Sequence, residues 1–492
     1  MKYFIIILIF ALSYFAQSKT LFIGEHYEYS SLQEAAPLAE PGDTLLLIDE
    51  VLKPNNYISY LQGTEDKPIY IVGATNTNSF WGGAVAFQIS NARYLIFSGI
   101  WFGNQTLNGV NIDDGGDFST PSTNIIFDDC HWTKLDANGN NDMLKLSGVD
   151  EFIIRNCSFT DCSEGGSQID MVGCHRGLIE DCHFDGGGSN CIQAKGGSSK
   201  LAIRRNLFVD GGQRAINIGG STGLQYFRPL GVNYEATEIA AYANVFVFGT
   251  TAFAFVGATE STFINNTVLL PHKWAFRILQ ENISEGMLPC GNNVVANNIF
   301  SLEPESATYP VNIGPNVSES FLYTNNLWYI EEIPTWPGPN IPWNQSTSIL
   351  NQDPLIKDLY EPIPGENSPA IGKGMYFEWI DIDFNRTIYL DPPSIGAVEG
   401  GSGTSVAENL KPKYFLIYPN PANEILFLQS KVETIGKLNI QIFDLRGRIV
   451  AVYKNLASDD IIELNISDLN SGMYYILIKT GVKTDFSAFV VE

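Results

Sequence analysis

Cys130-His131-Trp132, Cys157-Ser158-Phe159, Cys182-His183-Phe184, Asn206-Leu207-Phe208 and Asn244-Val245-Phe246 are successive copies of one short pattern: an Asn or Cys, a variable residue, then a large apolar one. Further copies precede this stretch, in Ile100-Trp101-Phe102, and follow it, in Asn266-Thr267-Val268, Asn298-Ile299-Phe300 and Asn326-Leu327-Trp328. They lie 30, 27, 25, 24, 38, 22, 32 and 28 residues apart, a near-period that predicts stacked coils, each resting on its neighbours. Short β-rich runs such as Tyr94-Leu95-Ile96-Phe97, Phe152-Ile153-Ile154-Arg155 and Leu201-Ala202-Ile203-Arg204 alternate with Gly, Asn, Asp and Ser turns, so each coil holds two or three strands. The fixed apolar spacing of a leucine-rich repeat is missing, and a propeller blade needs about 40 residues. A parallel β-helix fits the irregular intervals, because its turns accept insertions.

The ends frame this body. Met1-Lys2, the apolar run Tyr3 to Leu12 and the small residues through Ser18 read as a secretory signal peptide over 1–18. No later segment is apolar enough to cross a membrane. Leu32 to Ala36, then Pro41-Gly42-Asp43 and Thr44 to Leu47, read as a short helix, a turn and a first strand that cap the β-helix. The helix domain is expected over 19–400, a Gly/Ser linker over 401–412 and a separate unit over 413–492. That last unit alternates short strands with tight turns and reads as a β-sandwich.

A formal charge of −25 excludes a nucleic-acid partner, which needs a basic face. Lys and Arg are relatively frequent between Lys134 and Arg228, where carboxylates are about as numerous. Seven cysteines in an exported chain raise the question of disulfides. Cys130, Cys157 and Cys182, however, share the column later filled by Asn206, Asn244, Asn266, Asn298 and Asn326. Same-column residues stack directly above one another about 4.8 Å apart, which favours a ladder of packed thiols. No Cys or His spacing resembles a zinc site.

Side chains in the strand before each ladder residue alternate between core and solvent. Taking Leu144, Leu146, Ile169, Met171, Ile192, Ala194, Ile216, Ile218, Phe276 and Ile278 as inward leaves an outward column of Lys145, Asp170, Gln193, Asn217 and Arg277, with Lys195 two residues along. The 38-residue interval inserts a loop carrying Arg228 and Glu235, expected to overhang this column. Such a face suits extracellular polysaccharide. An elimination at a uronic sugar needs a cation or metal to neutralise the carboxylate, a base to take the adjacent proton, and an acid for the leaving oxygen. Lys195 is the candidate base, Arg214, Arg228 and Arg277 the carboxylate partners, and Asp170 with Asp142 a candidate calcium site outside any recognised motif. A glycoside hydrolase would instead draw a carboxylate pair from Asp142, Asp170 and Glu235. A non-catalytic adhesin would use the same face only for binding. His131 and His183 share an outward position on another sheet, and Pro334 to Trp343 either packs as a lid or stacks on sugar rings.

Three resemblances add to these readings. Ser368-Pro369-Ala370-Ile371-Gly372 and Ser394 to Glu399 resemble the closing coils of right-handed β-helix proteins. Tyr418-Pro419-Asn420-Pro421-Ala422, Ile442 to Arg448 and Leu469 to Tyr475 resemble the C-terminal sorting domain of the Bacteroidetes type IX secretion system. That likeness implies handling by the type IX machinery and release or attachment at the cell surface. Gly63-Thr64-Glu65-Asp66-Lys67-Pro68-Ile69-Tyr70-Ile71 resembles the opening coils of the alginate lyase and chondroitinase B type of polysaccharide lyase. Gln193-Ala194-Lys195 followed by Arg214 is similar to their catalytic Lys and Arg. Aligning the two coils departs from that pattern: Gly219 falls beside Lys195, and Arg214 about four residues, roughly 13 Å, along the strand. The expected fold is all-β: a right-handed parallel β-helix followed by a small C-terminal β-sandwich.

Overall fold

The computed structural model describes residues 18–48, 51–52, 55–74, 80–400, 415–420, 422–430, 437–444, 449–456, 461–470, 472–479 and 484–491. The expected signal peptide, Ser18 excepted, and the expected linker lie outside the described residues. The chain divides into two compact units, 1–404 and 405–492.

In the first unit the coils form three parallel sheets, of 13, 10 and 12 strands among the described residues. One coil shows how they are made: Val149–Arg155 enters the 13-stranded sheet, Ser158–Thr160 the 12-stranded and Ser167–Val172 the 10-stranded. A turn separates the first two strands. Its left-handed residue immediately precedes each ladder residue: Asp129, Asn156, Asp181, Asn265, Asn297 and Asn325 all have φ between 51° and 57°. Asp and Asn tolerate that conformation better than other non-glycine residues. The turn therefore fixes coil register locally, before any long-range packing.

The ladder residues then join coil to coil. Asn206, Asn244, Asn266 and Asn298 each donate from the side-chain amide to the Oδ1 of the next ladder Asn, at 3.0, 3.0, 3.2 and 2.9 Å. The same Oδ1 also accepts from the preceding coil's backbone N–H. All are buried, so an unpaired member would cost about 1–3 kcal/mol per lost partner. Cys157 and Cys182 direct Sγ at the carbonyl two residues back, 3.1 and 3.2 Å away, where Asn266 and Asn326 direct their amides. All seven cysteines are free thiols. Inside the ladder, Trp132, Phe159, Phe184, Phe208 and Phe246 stack with centroids 4.5, 5.1, 4.8 and 4.7 Å apart, the strand spacing itself.

At the start, Leu32–Ala35 is helical, with Ser31 capping it by accepting from the Glu34 N–H. Thr44–Leu47 is not the first strand, because Thr20–Ile23 already pairs with it. The last coil strand is Ile349–Leu350. Trp336 and Trp343 pack over the final coils: their indole N–H groups donate to Ala307 and Glu319 carbonyls, both at 3.0 Å. Beyond them, 351–400 does not close the helix with further coils. It runs as a strap outside it, with Ile380 and Tyr389 on Tyr242, Ile264 and Ala296, and Ala397 and Val398 on Val245 and Val247. Pro362, Pro364, Pro369, Pro392 and Pro393 in this segment supply no ladder N–H.

The second unit is antiparallel. Phe415–Tyr418, Ile425–Ser430 and Ile461–Asn465 form one sheet, and Leu438–Asp444, Ile449–Leu456, Gly472–Lys479 and Thr484–Val491 the other. Their inward faces share one core that includes Leu426, Leu464, Ile440, Ile476 and Phe489, as a β-sandwich requires. Leu445 to Arg448 of the second motif fall outside the described residues.

Candidate functional site

The 10-stranded sheet carries the outward column in register. Lys145 pairs with Asp170, Asp170 with Gln193, Gln193 with Asn217, Asn217 with Ala254, and Ala254 with Arg277. Gln88 and Asn111 extend it upstream and Asn312 downstream. Alternation does not hold at the strand starts. Gln168-Ile169, Cys191-Ile192, Ala215-Ile216, Ala252-Phe253 and Ala275-Phe276 each place two successive buried residues on the core. This bend returns the residue before each pair to the outer face.

A second outward column results, in which Ser167 pairs with Asn190, Asn190 with Arg214, and Thr251 with Trp274. Each member stands three residues before a member of the first column, and contacts close across that gap. Lys145 Nζ lies 2.8 Å from Asp142 Oδ2, Arg214 Nη1 3.3 Å from Asn217 Oδ1, and the Arg277 guanidinium 4.5 Å from the Trp274 ring centre. Arg214 therefore belongs to the face. The register sets it opposite Asn190, five residues before Lys195 rather than four, and away from that lysine along the strand.

The upstream end is a closed chain of charge. Lys145 Nζ donates to Asp142 and, at 2.6 Å, to Asp170 Oδ2; Lys195 Nζ lies 2.9 Å from Asp170 Oδ1 and donates to Gln193 Oε1 at 3.0 Å. The Lys195–Asp170 contact is an ion pair without hydrogen-bond geometry, which leaves Oδ1 formally unsatisfied. Asp142 and Asp170 are completely buried. Burial opposes ionisation of Asp170, but Lys195 and Lys145 outweigh it and hold the carboxyl below its ordinary range. Burial, then the Asp170 charge, raises Asp142. Burial of Lys145 is likewise overcome by Asp170 and Asp142, which hold its ammonium protonated well above the ordinary lysine range. The place a calcium ion would take between Asp142 and Asp170 is filled by this ammonium, so the pair does not fit a resident metal. Among the described residues no cluster of three or more His, Cys, Asp or Glu side chains could hold one.

The long loop flanks the face at the strand ends. Glu235 is buried at its base, accepting from Thr222 N at 2.7 Å, Thr222 Oγ1 at 2.7 Å, Asn282 Nδ2 at 2.8 Å and Gly196 N at 3.1 Å. Arg228 turns away from the columns. It pairs with buried Asp114, donates from Nη1 to the Phe118 carbonyl at 3.1 Å and lies over the Phe118 ring; burial lowers its pKa to about 10. The loop can lie this close because Gly148, Gly173 and Gly197, all at positive φ, present no Cβ to it. Glu235 and Arg228 thus hold the loop and do not join the polar columns. Asp142 and Asp170 share Lys145, and Glu235 stands in neither carboxylate's contacts.

Residues 76–268 match the family model described as right handed beta helix region, and residues 416–492 match that described as secretion system C-terminal sorting domain. The chain is a right-handed β-helix protein with a sorting domain. That domain marks the β-helix protein as a secreted or cell-surface one handled by type IX secretion, and no helix among the described residues is long and apolar enough to cross a membrane. No curated protein matches it. Among solved structures it is similar to an alginate lyase from Paenibacillus sp. (16% identity, TM-score 0.40, covering 63% of this chain and 99% of that one). It is also similar to a family 6 polysaccharide lyase from Pseudopedobacter saltans (14%, 0.36, 63% and 94%) and an endo-xylogalacturonan hydrolase from Aspergillus tubingensis (12%, 0.38, 60% and 90%). A separate groove of about 420 Å³ lies on the 13-stranded sheet, over Ile96, Ile126, Ile153 and Leu178. None of the sequence-predicted site residues lines it.

The sequence reading missed Asn190, Trp274, Glu281 and Asn312. For Asn190 and Trp274 the signal is the small or polar residue preceding each inward Ile or Phe (Gln168, Cys191, Ala215, Ala252, Ala275), which marks the bend coil by coil; Asn312 continues the first column, and Glu281 lies beyond its strand.

Proposed function

We propose that the β-helix binds an extracellular polysaccharide along the 10-stranded face between Lys145 and Arg277. The observation that carries this reading is the pair of columns on the outer side of the sheet, from which Lys145, Gln193, Lys195, Arg214, Trp274 and Arg277 reach the surface. A rigid row of such groups, repeated every strand, suits a linear polymer of hydroxylated rings, and Trp274 offers an aromatic surface of the kind that packs on sugars. The sorting domain supports it by delivering the face to where such polymers lie.

Cleavage by elimination is the finer reading, with Lys195 as base. The adhesin reading draws its own support from the upstream lysines, whose ammonium groups are engaged by Asp170. An ultraviolet assay for unsaturated uronate products, run on a panel of uronic polymers with the full chain and Lys195→Ala, decides between them. Product that disappears in Lys195→Ala upholds the lyase. No product from any polymer, with binding retained, leaves the adhesin; no binding to any polysaccharide overturns the proposal itself.

A further inference from the structure

The downstream end of the face is built differently from the rest. Ala254 interrupts the first column, a small side chain between Asn217 and Arg277. Ala254 is itself fully buried, and two guanidinium groups stand on the coils either side of it. Arg214 spans it, with Nη1 3.3 Å from Asn217 Oδ1 and Nη2 2.8 Å from Glu281 Oε1. Arg277 donates from Nε to Asn312 Oδ1 at 3.0 Å and lies on Trp274; its terminal nitrogens have no partner among the described residues. Lys273 Nζ approaches the same indole, 4.1 Å from the ring centre. Among the described residues the two guanidinium groups have one paired carboxylate between them, Glu281, bonded to Arg214 and 37% exposed. The excess is felt within the site: burial, then the Arg214 charge, lowers the pKa of Arg277, with Glu281 opposing.

A second observation points to a ligand. Thr251, between Arg214 and Trp274 in the second column, is buried with its Oγ1 unpartnered. Buried hydroxyls are ordinarily hydrogen-bonded. A forked guanidinium with free N–H groups is a donor for planar or tetrahedral oxyanions, and the indole adds an apolar surface alongside.

We infer that these two guanidinium groups, beside Trp274, form a subsite for the anionic group of an acidic sugar, a carboxylate or a sulfate ester. Glu281 is its internal placeholder: it occupies Arg214 in the free protein and yields it when the sugar anion arrives. This rests on the polysaccharide reading above and adds the end of the face that selects a charged sugar and the carboxylate that holds its place.

The test is calorimetric titration of the full chain with oligogalacturonate, a sulfated galactan oligosaccharide and neutral laminarin oligosaccharide, at low and high salt. Arg277→Gln and Arg214→Gln are expected to weaken binding of the anionic oligomer about tenfold each, charge-assisted hydrogen bonds being worth more than neutral ones. Glu281→Gln is expected to tighten it about threefold, which the loss of a merely structural ion pair would not do. Whichever anionic oligomer binds identifies carboxylate or sulfate. Arg176→Gln, on the 13-stranded sheet, should change nothing. Laminarin bound as tightly as the charged oligomers, or arginine variants with unaltered affinity and an unaltered melting curve, would overturn the subsite while leaving polysaccharide binding intact. Binding of none of the three would count against the polysaccharide reading as well.

Discussion

The two ends of one face share strands, register and spacing, yet treat charge in opposite ways. Upstream, Lys145 and Lys195 are matched one for one by Asp142 and Asp170, and the carboxylates are fully buried. Downstream, Arg214 is paired with the partly open Glu281, while Arg277 and Lys273 lie on Trp274 without a carboxylate partner among the described residues. Neutralised charge held away from water is committed to the fold, because any partner removed leaves its mate buried and alone. Charge that is unmatched and partly solvated is available to a ligand. The same columns thus serve as scaffold at one end and, on the proposal above, as a recognition surface at the other.

The strongest way to break this contrast is Asp170→Leu. It leaves Lys195 without a carboxylate and Lys145 with Asp142 alone, and should cost about 3–5 kcal/mol in equilibrium denaturation; a loss below about 1 kcal/mol would mean that the upstream chain is not structural. Next comes the ladder. Asn266→Ala removes acceptor and donors from a buried row and should cost about 2–4 kcal/mol, against about 1–2 kcal/mol for Cys157→Ala, whose thiol makes only weak bonds. Equal costs would contradict the ladder's hydrogen-bonding role.

Acid titration separates the two buried carboxylates by sign. Asp170 is depressed in the fold, so its stabilisation is present above the ordinary aspartate value of 3.8 and fades as pH falls through the lower, folded value. Asp142 is raised, so its contribution is full below 3.8 and fades as pH rises through its folded value. At pH 7 Asp142→Asn should therefore destabilise by clearly less than Asp170→Asn, as thermal melting of the two variants will show. The reverse order would refute the assignment. The smallest effect is expected downstream, where Arg277→Gln should change stability by less than about 0.5 kcal/mol.

Much of this was legible in the residues. The ladder gave coil register, and register put Lys145, Asp170, Gln193 and Asn217 in one column because β-pairing in stacked coils is local and repetitive. Strict alternation then misled. It left Arg214 out of the outward column, since period-two reasoning has no place for the bend that buries Ala215 and Ile216 together. Arg228 and Glu235 could not be located at all by spacing: their partners, Asp114 and Asn282, lie far away in sequence and are chosen by where a 38-residue excursion lands. The strap over 351–400 was hidden for a related reason, since its apolar residues pack on outer faces that a coil-by-coil reading assigns to solvent.

The central claim is that the polymer lies on the 10-stranded face and is gripped at its cationic end. Hydrogen–deuterium exchange of the full chain, with and without a saturating acidic oligosaccharide, tests it most directly. The account predicts protection concentrated in Arg214–Gly219 and Trp274–Leu279 and continuing to Glu281. Protection confined to the groove over Ile126 and Ile153, with those strands unchanged, would contradict it.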